Sequence, residues 1–460
     1  MTHSLRNRFL LASGFHAPVC GEAEAFRNRL IELDGDGRIM ATWEDGTADH
    51  ARLVAEAEQS GRLTRLPEGQ FLLPGFVDLH IHAPQYPQLG TALDQPLDVW
   101  LKTYTFPLEA RYRDEAFAAR AYAMLVEDLI ANGTTTALYF GTIHPGANRL
   151  LADICLEKGQ RALIGKVAMD HKDLCPDDYR DASVDAALKG TQDLIDYITH
   201  HPDNGEGRVK PVITPRFIPA CTDDLLHELG AMAADTCCHI QTHASEGDWE
   251  HNHVLDRHGM SDTESLDRFG LLREHTVLAH GNFISLDDME KIALRKAAVA
   301  HCPLSNAYFA DAIFPLAQAL EKGVRVGLGT DISAGPSASL ANSLRSALWS
   351  GRLLESGTDP ALAAGERSAR AGQRVDVPTA FHVATAGGAR ALGLPVGTFE
   401  PGKIFDAILV DPEAAGAPIR LWPELYSGDD EILEKLIYGV TRANISRVWI
   451  GGELCSGAAL

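Results

Sequence analysis

No stretch of this 460-residue sequence stays apolar for long enough to cross a bilayer, so no transmembrane helix is expected. Positive charge is scarce too: 41 lysines and arginines stand against 63 aspartates and glutamates, a formal net charge of −22, and no basic stripe runs along the chain. Such a surface repels phosphate backbones and anionic lipid, which argues against nucleic-acid and membrane-surface partners. Cysteine is sparse, with eight residues and no paired zinc-ribbon spacing. Cys237 and Cys238 are adjacent, and neighbours on a strand point to opposite faces, so no bond between them is expected. This usage fits a reducing compartment and a cytoplasmic location. The apolar patch from Phe9 to Phe15 is short, contains Gly14 and is followed by His16, so it reads as a first β-strand rather than a secretory leader.

What the sequence does have is alternation. Apolar, β-branched runs occupy 71–82, 134–143, 161–170, 209–217, 239–245, 276–283, 297–302 and 324–331, and segments of helical period lie between them at 114–132, 148–158, 222–236, 285–295 and 311–322. Repeated strand–helix units with apolar strands imply a parallel sheet covered by helices. Eight of them imply an α/β fold, a closed (β/α)8 TIM-like barrel whose chemistry collects at the C-terminal ends of the strands. Residues before about 73 hold short strand-like pieces and an acidic linker, and 403–411 and 447–450 again look like strands. The expected organisation is therefore a barrel over 74–392 inserted into a small β-sandwich built from 1–73 and 393–460. The stretches 336–354 and 378–392 read as late helices packed on the barrel.

Polar residues gather at one end of the predicted strands. Strand one ends Leu79-His80-Ile81-His82, and side chains two apart on a strand share a face, so both imidazoles can chelate one ion. Strand five runs His239-Ile240-Gln241-Thr242-His243 into Ala244-Ser245-Glu246, strand six ends in His280-Gly281, and strand eight ends Gly329-Thr330-Asp331. Singly, each has a bland reading as a packing histidine or a helix cap. Packing does not ask for all of them at one barrel end. Three histidines and one carboxylate leave a position open for water, as a catalytic zinc requires, and such an ion lowers the pKa of water from about 15.7 towards roughly 7. Glu246 is placed to take a proton from that water and hand it to a leaving nitrogen. The same donors also suit iron or manganese.

These motifs resemble the amidohydrolase superfamily. Pro74-Gly75-Phe76-Val77-Asp78-Leu79-His80-Ile81-His82 is similar to its opening motif, and His243, His280 and Asp331 match its remaining site elements in order. The resemblance to its mononuclear aminohydrolases implies His80, His82, His243 and Asp331 as metal ligands, Glu246 as proton shuttle, and His280 and Asp331 as the groups that orient the attacking water. Binuclear members bridge their metals with a lysine at the end of strand four. Here that end reads Thr214-Pro215-Arg216-Phe217, and Lys210 lies at the strand's beginning, so one metal is expected.

The resemblance extends to the guanine deaminase family in particular, through His80-Ile81-His82-Ala83-Pro84-Gln85-Tyr86, Tyr104-Thr105-Phe106-Pro107, Thr142-Ile143-His144, Thr214-Pro215-Arg216-Phe217 and Ala300-His301-Cys302-Pro303. The resemblance implies attack by metal-bound hydroxide at C2 of guanine, release of ammonia and xanthine, a role in purine catabolism, and a homodimer. It also implies purine contacts from Gln85, Arg216 and Phe217. Arginine's paired donors match O6 and N7 of guanine, as they do in reading DNA. Trp100 lies in a loop able to fold over the mouth and is counted among the candidate substrate contacts, with ordinary packing as the other reading. Leu304 departs from the family, where asparagine is expected.

Three features read as decoys. Gly397–Lys403 mimics part of a phosphate loop but contains Pro401 and leads into a strand. His144 and His171 lie near strand ends as packing residues, His144 with the better claim to the pocket. His251, His253 and His258 are assigned to a solvated loop. Two other readings stay open: an aminohydrolase acting on 8-oxoguanine, a pterin, a triazine or cytosine, and a metal-free scaffold that has lost catalysis.

Overall fold

A computed structural model of the protein describes residues 4–367 and 370–458, so the outermost residues of both end segments, 1–3 and 459–460, lie outside it. The eight expected strands form one parallel sheet: Phe76–His82, Thr134–Phe140, Arg161–Gly165 (continued by Val167–Ala168), Val209–Pro215, His239–Ala244, Thr276–His280, Ala298–His301 and Arg325–Leu328. They are called strands one to eight below. Alternation does the sorting, except in strand one, where a register shift between Asp78 and Ile81 interrupts it. Val77, Leu79, Leu138, Leu163, Val212, Val277, Ala298 and Ala300 fill the interior, while Ile81, Tyr139, Ile164, Ile213, Leu278 and Val299 face the helical layer.

Closure between strands eight and one is less regular, and it is where the site sits. The Asp331 N–H donates to His80 C=O at 2.8 Å and the His82 N–H to Ile332 C=O at 2.9 Å. The buried Asp78 carboxyl accepts the Thr330 N–H at 3.0 Å and its hydroxyl at 2.6 Å, pinning the two strands together. Gly329 makes this approach possible, since a Cβ there would stand 2.7 Å from Cys302 Sγ and 2.8 Å from His80 Cβ.

The chain ends combine in one mixed sheet, in the order Glu453–Gly457, Ile445–Ile450, Ala407–Val410, Phe71–Pro74, Phe9–His16, Glu24–Leu33 and Ile39–Trp43, with Leu63–Arg65 beside Phe9–His16. It bends over itself: the Ile39 N–H reaches Lys403 C=O and the Phe405 N–H reaches Gly37 C=O, both at 2.8 Å. Leu10, Phe26, Ile31, Leu72, Phe405, Leu409 and Trp449 are enclosed in the resulting sandwich-like layer.

Four details differ from the sequence reading. The acidic stretch expected as a linker is the helix Ala48–Gln59, capped by Thr47. The helix expected over 311–322 is only Leu316–Glu321, because Asp311 turns left-handed and Pro315 bars the residue before it from helical geometry. A helix not anticipated, Asp429–Gly439, buries Ile432, Leu433, Leu436 and Ile437 against the barrel's outer layer. The region assigned to a solvated loop is instead the helix Asp248–His258, followed by Asp262–Arg268. Its histidines are partly buried, and His258 Nε2 lies 3.0 Å from Asp223 Oδ1.

Candidate metal centre and substrate pocket

The strand ends bring together the residues the sequence singled out. His80 and His82 project from one face of strand one, with ring centroids 4.9 Å apart. His82 Nε2 lies 2.9 Å from His243 Nε2 at the end of strand five. From strand eight, Asp331 Oδ1 lies 3.2 Å from His80 Nε2 and 3.6 Å from His82 Nε2. His280 Nε2 is 3.9 Å from Asp331 Oδ2 and 3.7 Å from Glu246 Oε1. Phe140 is the apolar floor, 4.9 Å from the His80 and His82 rings and 4.7 Å from that of His243.

Electrostatically this cluster is unfinished. Burial, reinforced by neighbouring imidazoles, lowers the pKa of His80, His82 and His243 and so favours their neutral forms. His243 Nδ1 contacts Arg216 C=O at 2.6 Å, which places its proton there and leaves the Nε2 lone pair facing His82. His80 Nε2, His280 Nε2 and Asp331 Oδ1 are buried without hydrogen-bond partners. Burial alone would raise Asp331, but His80, His280 and His82 hold its carboxylate well below the usual range. Converging lone pairs and one anion, with no donor among them, fit a divalent cation. Both candidate ion-holding groups, His80–His82–His243 and His80–His280–Asp331, draw on this cluster.

Three of the strand-end residues adopt a conformation unusual for side chains with a Cβ. Ser245, His280 and Asp331 have φ of 50°, 74° and 51°. Left-handed residues of this kind cost of order 1–3 kcal/mol and persist where surrounding contacts over-determine them. Those contacts are present. Glu250 accepts the Glu246 N–H at 3.0 Å, Asn282 Nδ2 donates to Glu246 C=O at 2.8 Å, and the Ser245 hydroxyl donates to Asp262 at 3.1 Å. Glu246 itself is raised in pKa by burial, with the side chain still 14% exposed on the open side.

On the other flank, Arg216 is buried at the end of strand four, directly before Phe217, whose ring lies 6.3 Å from that of His243. Its Nη1 and Nη2 donate to the two carboxylate oxygens of Glu109 at 2.7 and 3.1 Å, and the guanidinium stacks 5.0 Å over Phe106. Gln85 Nε2 donates to the same carboxylate at 2.8 Å, while Gln85 Oε1 accepts the Ser333 N–H at 3.2 Å. The fork that the sequence reading offered to substrate is thus already paired, leaving Nε–H and one hydrogen on Nη2, while Nη1 also points to Met169 Sδ at 4.0 Å. Trp100 does not stand as a free lid contact. It is 1% exposed, donates its indole N–H to Thr91 C=O and packs 5.0 Å from Phe309, which makes it a packing residue of its segment. Trp249, 6.2 Å from Phe217 and 54% exposed, occupies the rim instead.

Sequence reasoning missed four supports. Glu109 lies two residues beyond the Tyr104–Pro107 motif, and its signal was a lone acid inside the apolar run Phe106-Pro107-Leu108-Glu109-Ala110. Asp78, pushed up to about 7 by burial, was a lone acid inside strand one. The Asn306 side chain pairs with His280 Nδ1, at 2.9 Å through its Oδ1, and so orients that ring. The Glu250–Asp262 pair had no signal at all.

The Amidohydrolase family model matches residues 71–455. Guanine deaminase of Homo sapiens is 34% identical over 460 residues, covering 98% of this chain and 96% of that one. Guanine deaminase of Escherichia coli strain K12 is 32% identical over 434 residues, covering 92% and 90%. The crystal structure of guanine deaminase from C. acetobutylicum with guanine bound in its active site superposes with a TM-score of 0.85 at 29% identity, covering 97% of this chain and 99% of that one. With the family model matching over 71–455 and guanine deaminases aligned over nearly the whole of both chains, this chain belongs to the amidohydrolase family of hydrolases, within the group that contains the guanine deaminases.

Proposed function

We propose that this protein hydrolyses guanine to xanthine and ammonia. The observation that carries the reading is the junction of two half-sites: the carbonyl of Arg216 at the end of strand four holds His243 Nδ1 at the end of strand five, so the guanidinium assigned to the purine and the imidazole assigned to the ion are fixed relative to each other. Zinc is the ion we assign, held by His80, His82, His243 and Asp331. When bound it supplies the Lewis acidity that makes water a nucleophile at neutral pH.

The chain's own residues supply the rest. Phe217 stacks on the ring, while Gln85 and the remaining N–H groups of Arg216 hold its polar edges so that C2 faces the nucleophile. His280, its far nitrogen held by Asn306, and Asp331 orient the attacking water. Glu246 takes a proton from that water as the C2–O bond forms and the C2=N3 double bond opens, and passes it to N3. It then carries the second proton from the new C2 hydroxyl to the amino nitrogen as the C2–N bond breaks, so the product has a carbonyl and a ring N–H and ammonia leaves neutral. The barrel over 74–392 is the catalytic unit, with the end segments as its buttress.

The test is ammonia release from guanine, with cytosine, adenine and 8-oxoguanine alongside and bound metal quantified in the same sample. Release from guanine alone, with about one ion per chain, is the expected result. Full metal occupancy without release would transfer the reading to another amino-heterocycle, and absence of metal would favour a scaffold.

A further inference from the structure

The Glu109 carboxylate is fully buried, touches no ion-binding residue, and organises both groups assigned to the purine. An ionised carboxylate only accepts hydrogen bonds and a backbone N–H only donates. Gln85 lies between one of each, Glu109 and the Ser333 N–H, so its amide has a single permitted orientation. It can offer a ligand one further N–H and one further oxygen lone pair, at fixed places. Glu109 also cancels the charge of Arg216. Of the titratable groups around Glu109, burial raises the phenols of Tyr112, Tyr122 and Tyr179 and lowers His144, leaving all four neutral. Arg216, held further in its charged form by Glu109, is then its counter-charge among the described residues.

Resting on the reading of guanine as substrate, we propose that Glu109 is the positioning residue that sets which charge and hydrogen-bond polarity the pocket accepts, favouring a neutral amino-heterocycle and disfavouring the anion of its deaminated product. Deamination replaces an exocyclic amine by a carbonyl and adds a ring imide N–H, so xanthine ionises more readily than guanine. An unpaired Arg216 would hold that anion. The Arg216–Glu109 pair presents no net charge to it, and product leaves.

The experiment is binding of xanthine, by calorimetry and as an inhibitor of ammonia release, at pH values below and above its ionisation. It uses the zinc-loaded wild type, Glu109→Gln and Glu109→Asp. In the wild type, binding should weaken as xanthine ionises. Glu109→Gln should bind the anion more tightly than the wild type by about tenfold or more, and should raise KM for guanine because a neutral amide replaces the charge-assisted bonds that hold Arg216 and Gln85 in place. Glu109→Asp keeps the charge, so it should restore the wild-type preference against the anion while KM for guanine stays raised. Wild-type binding that strengthens on ionisation, or a folded Glu109→Gln with unchanged pH dependence, overturns the proposal. Should Glu109→Gln fail to fold, the wild type and Glu109→Asp decide. A wild type that turns over guanine but fails these tests sinks this inference alone, whereas one that neither acts on guanine nor binds either purine sinks the functional reading and this inference with it.

Discussion

The two flanks of the barrel mouth are built on opposite electrostatic plans. Around His80, His82, His243 and Asp331, polar atoms are buried, and His80 Nε2, His280 Nε2 and Asp331 Oδ1 are left without partners. On the other flank the Glu109 carboxylate, both Nη atoms of Arg216 and both amide atoms of Gln85 are equally buried but engaged with one another or with the Ser333 N–H. Unpaired buried polar atoms are costly in a fold that has no use for them, so their concentration marks where an ion and water complete the structure. The paired flank is complete before ligand arrives and presents a rigid surface. One side is finished by what it binds, and the other is finished in advance.

The difference can be broken from either side. Removing an ion-binding group should have the largest effect. Asp331→Ala should lose bound metal and with it essentially all turnover, as elemental analysis and an ammonia assay would register together; full metal content in that variant would displace Asp331 from the ligand set. Glu246→Gln comes next. It keeps the ligands, so metal should be retained while turnover falls by about 10²–10⁴-fold, and wild-type rates would remove Glu246 as the proton shuttle.

On the paired flank, Arg216→Ala leaves Glu109 buried without its counter-charge. Breaking a buried pair in this way destabilises by about 3–5 kcal/mol. We therefore expect a lower unfolding temperature and a much raised KM for guanine, with metal content unchanged. Loss of metal instead would mean the two flanks are not separable. Asn306→Ala frees the His280 ring, and loss of such outer partners typically costs about 10–100-fold in activity or metal affinity. Turnover should fall more than KM rises, and unaltered kcat would leave Asn306 without a role.

The smallest effect concerns the cradle under Glu246. Burial and Asp262 raise Glu250 well above its ordinary 4.5, whereas Asp262, which burial alone would raise, is lowered by its hydrogen bonds from Glu250, His251 and Ser245. The folded protein therefore keeps a proton on Glu250 that the unfolded chain releases above 4.5, and the wild type loses stability as pH rises through that window. Glutamine can accept from the Glu246 N–H and donate to Asp262 without titrating. Unfolding temperatures of Glu250→Gln and wild type should diverge in the variant's favour between about pH 5 and pH 8. A constant difference across that range would show that the carboxyl carries no retained proton.

The ion-binding flank was legible in the sequence because its information is local. His80 and His82 are two apart on one strand, and His243, His280 and Asp331 each close an apolar run whose period announces a strand. The paired flank was half legible. Arg216 and Gln85 stood inside recognisable motifs, but Glu109 lies 107 residues before Arg216, and no local pattern ties a lone acid to a distant arginine. The histidines of Asp248–His258 were misplaced for a related reason. A polar helix with few apolar positions has little periodicity to read, and contacts such as that of His258 with Asp223 hold it in place.

By itself, then, the sequence determined the alternation of strand and helix, the end of the barrel where chemistry gathers, and the set of imidazoles and carboxylates placed there. All of these follow from the period of side chains along a strand. Only the tertiary structure decided how Arg216 is neutralised, which way the Gln85 amide faces, that Trp100 packs inward while Trp249 takes the rim, and that Asn306 holds His280. Each depends on which buried donor finds which acceptor across the fold, and that pairing is set by the closing of the barrel rather than by any neighbour in the chain.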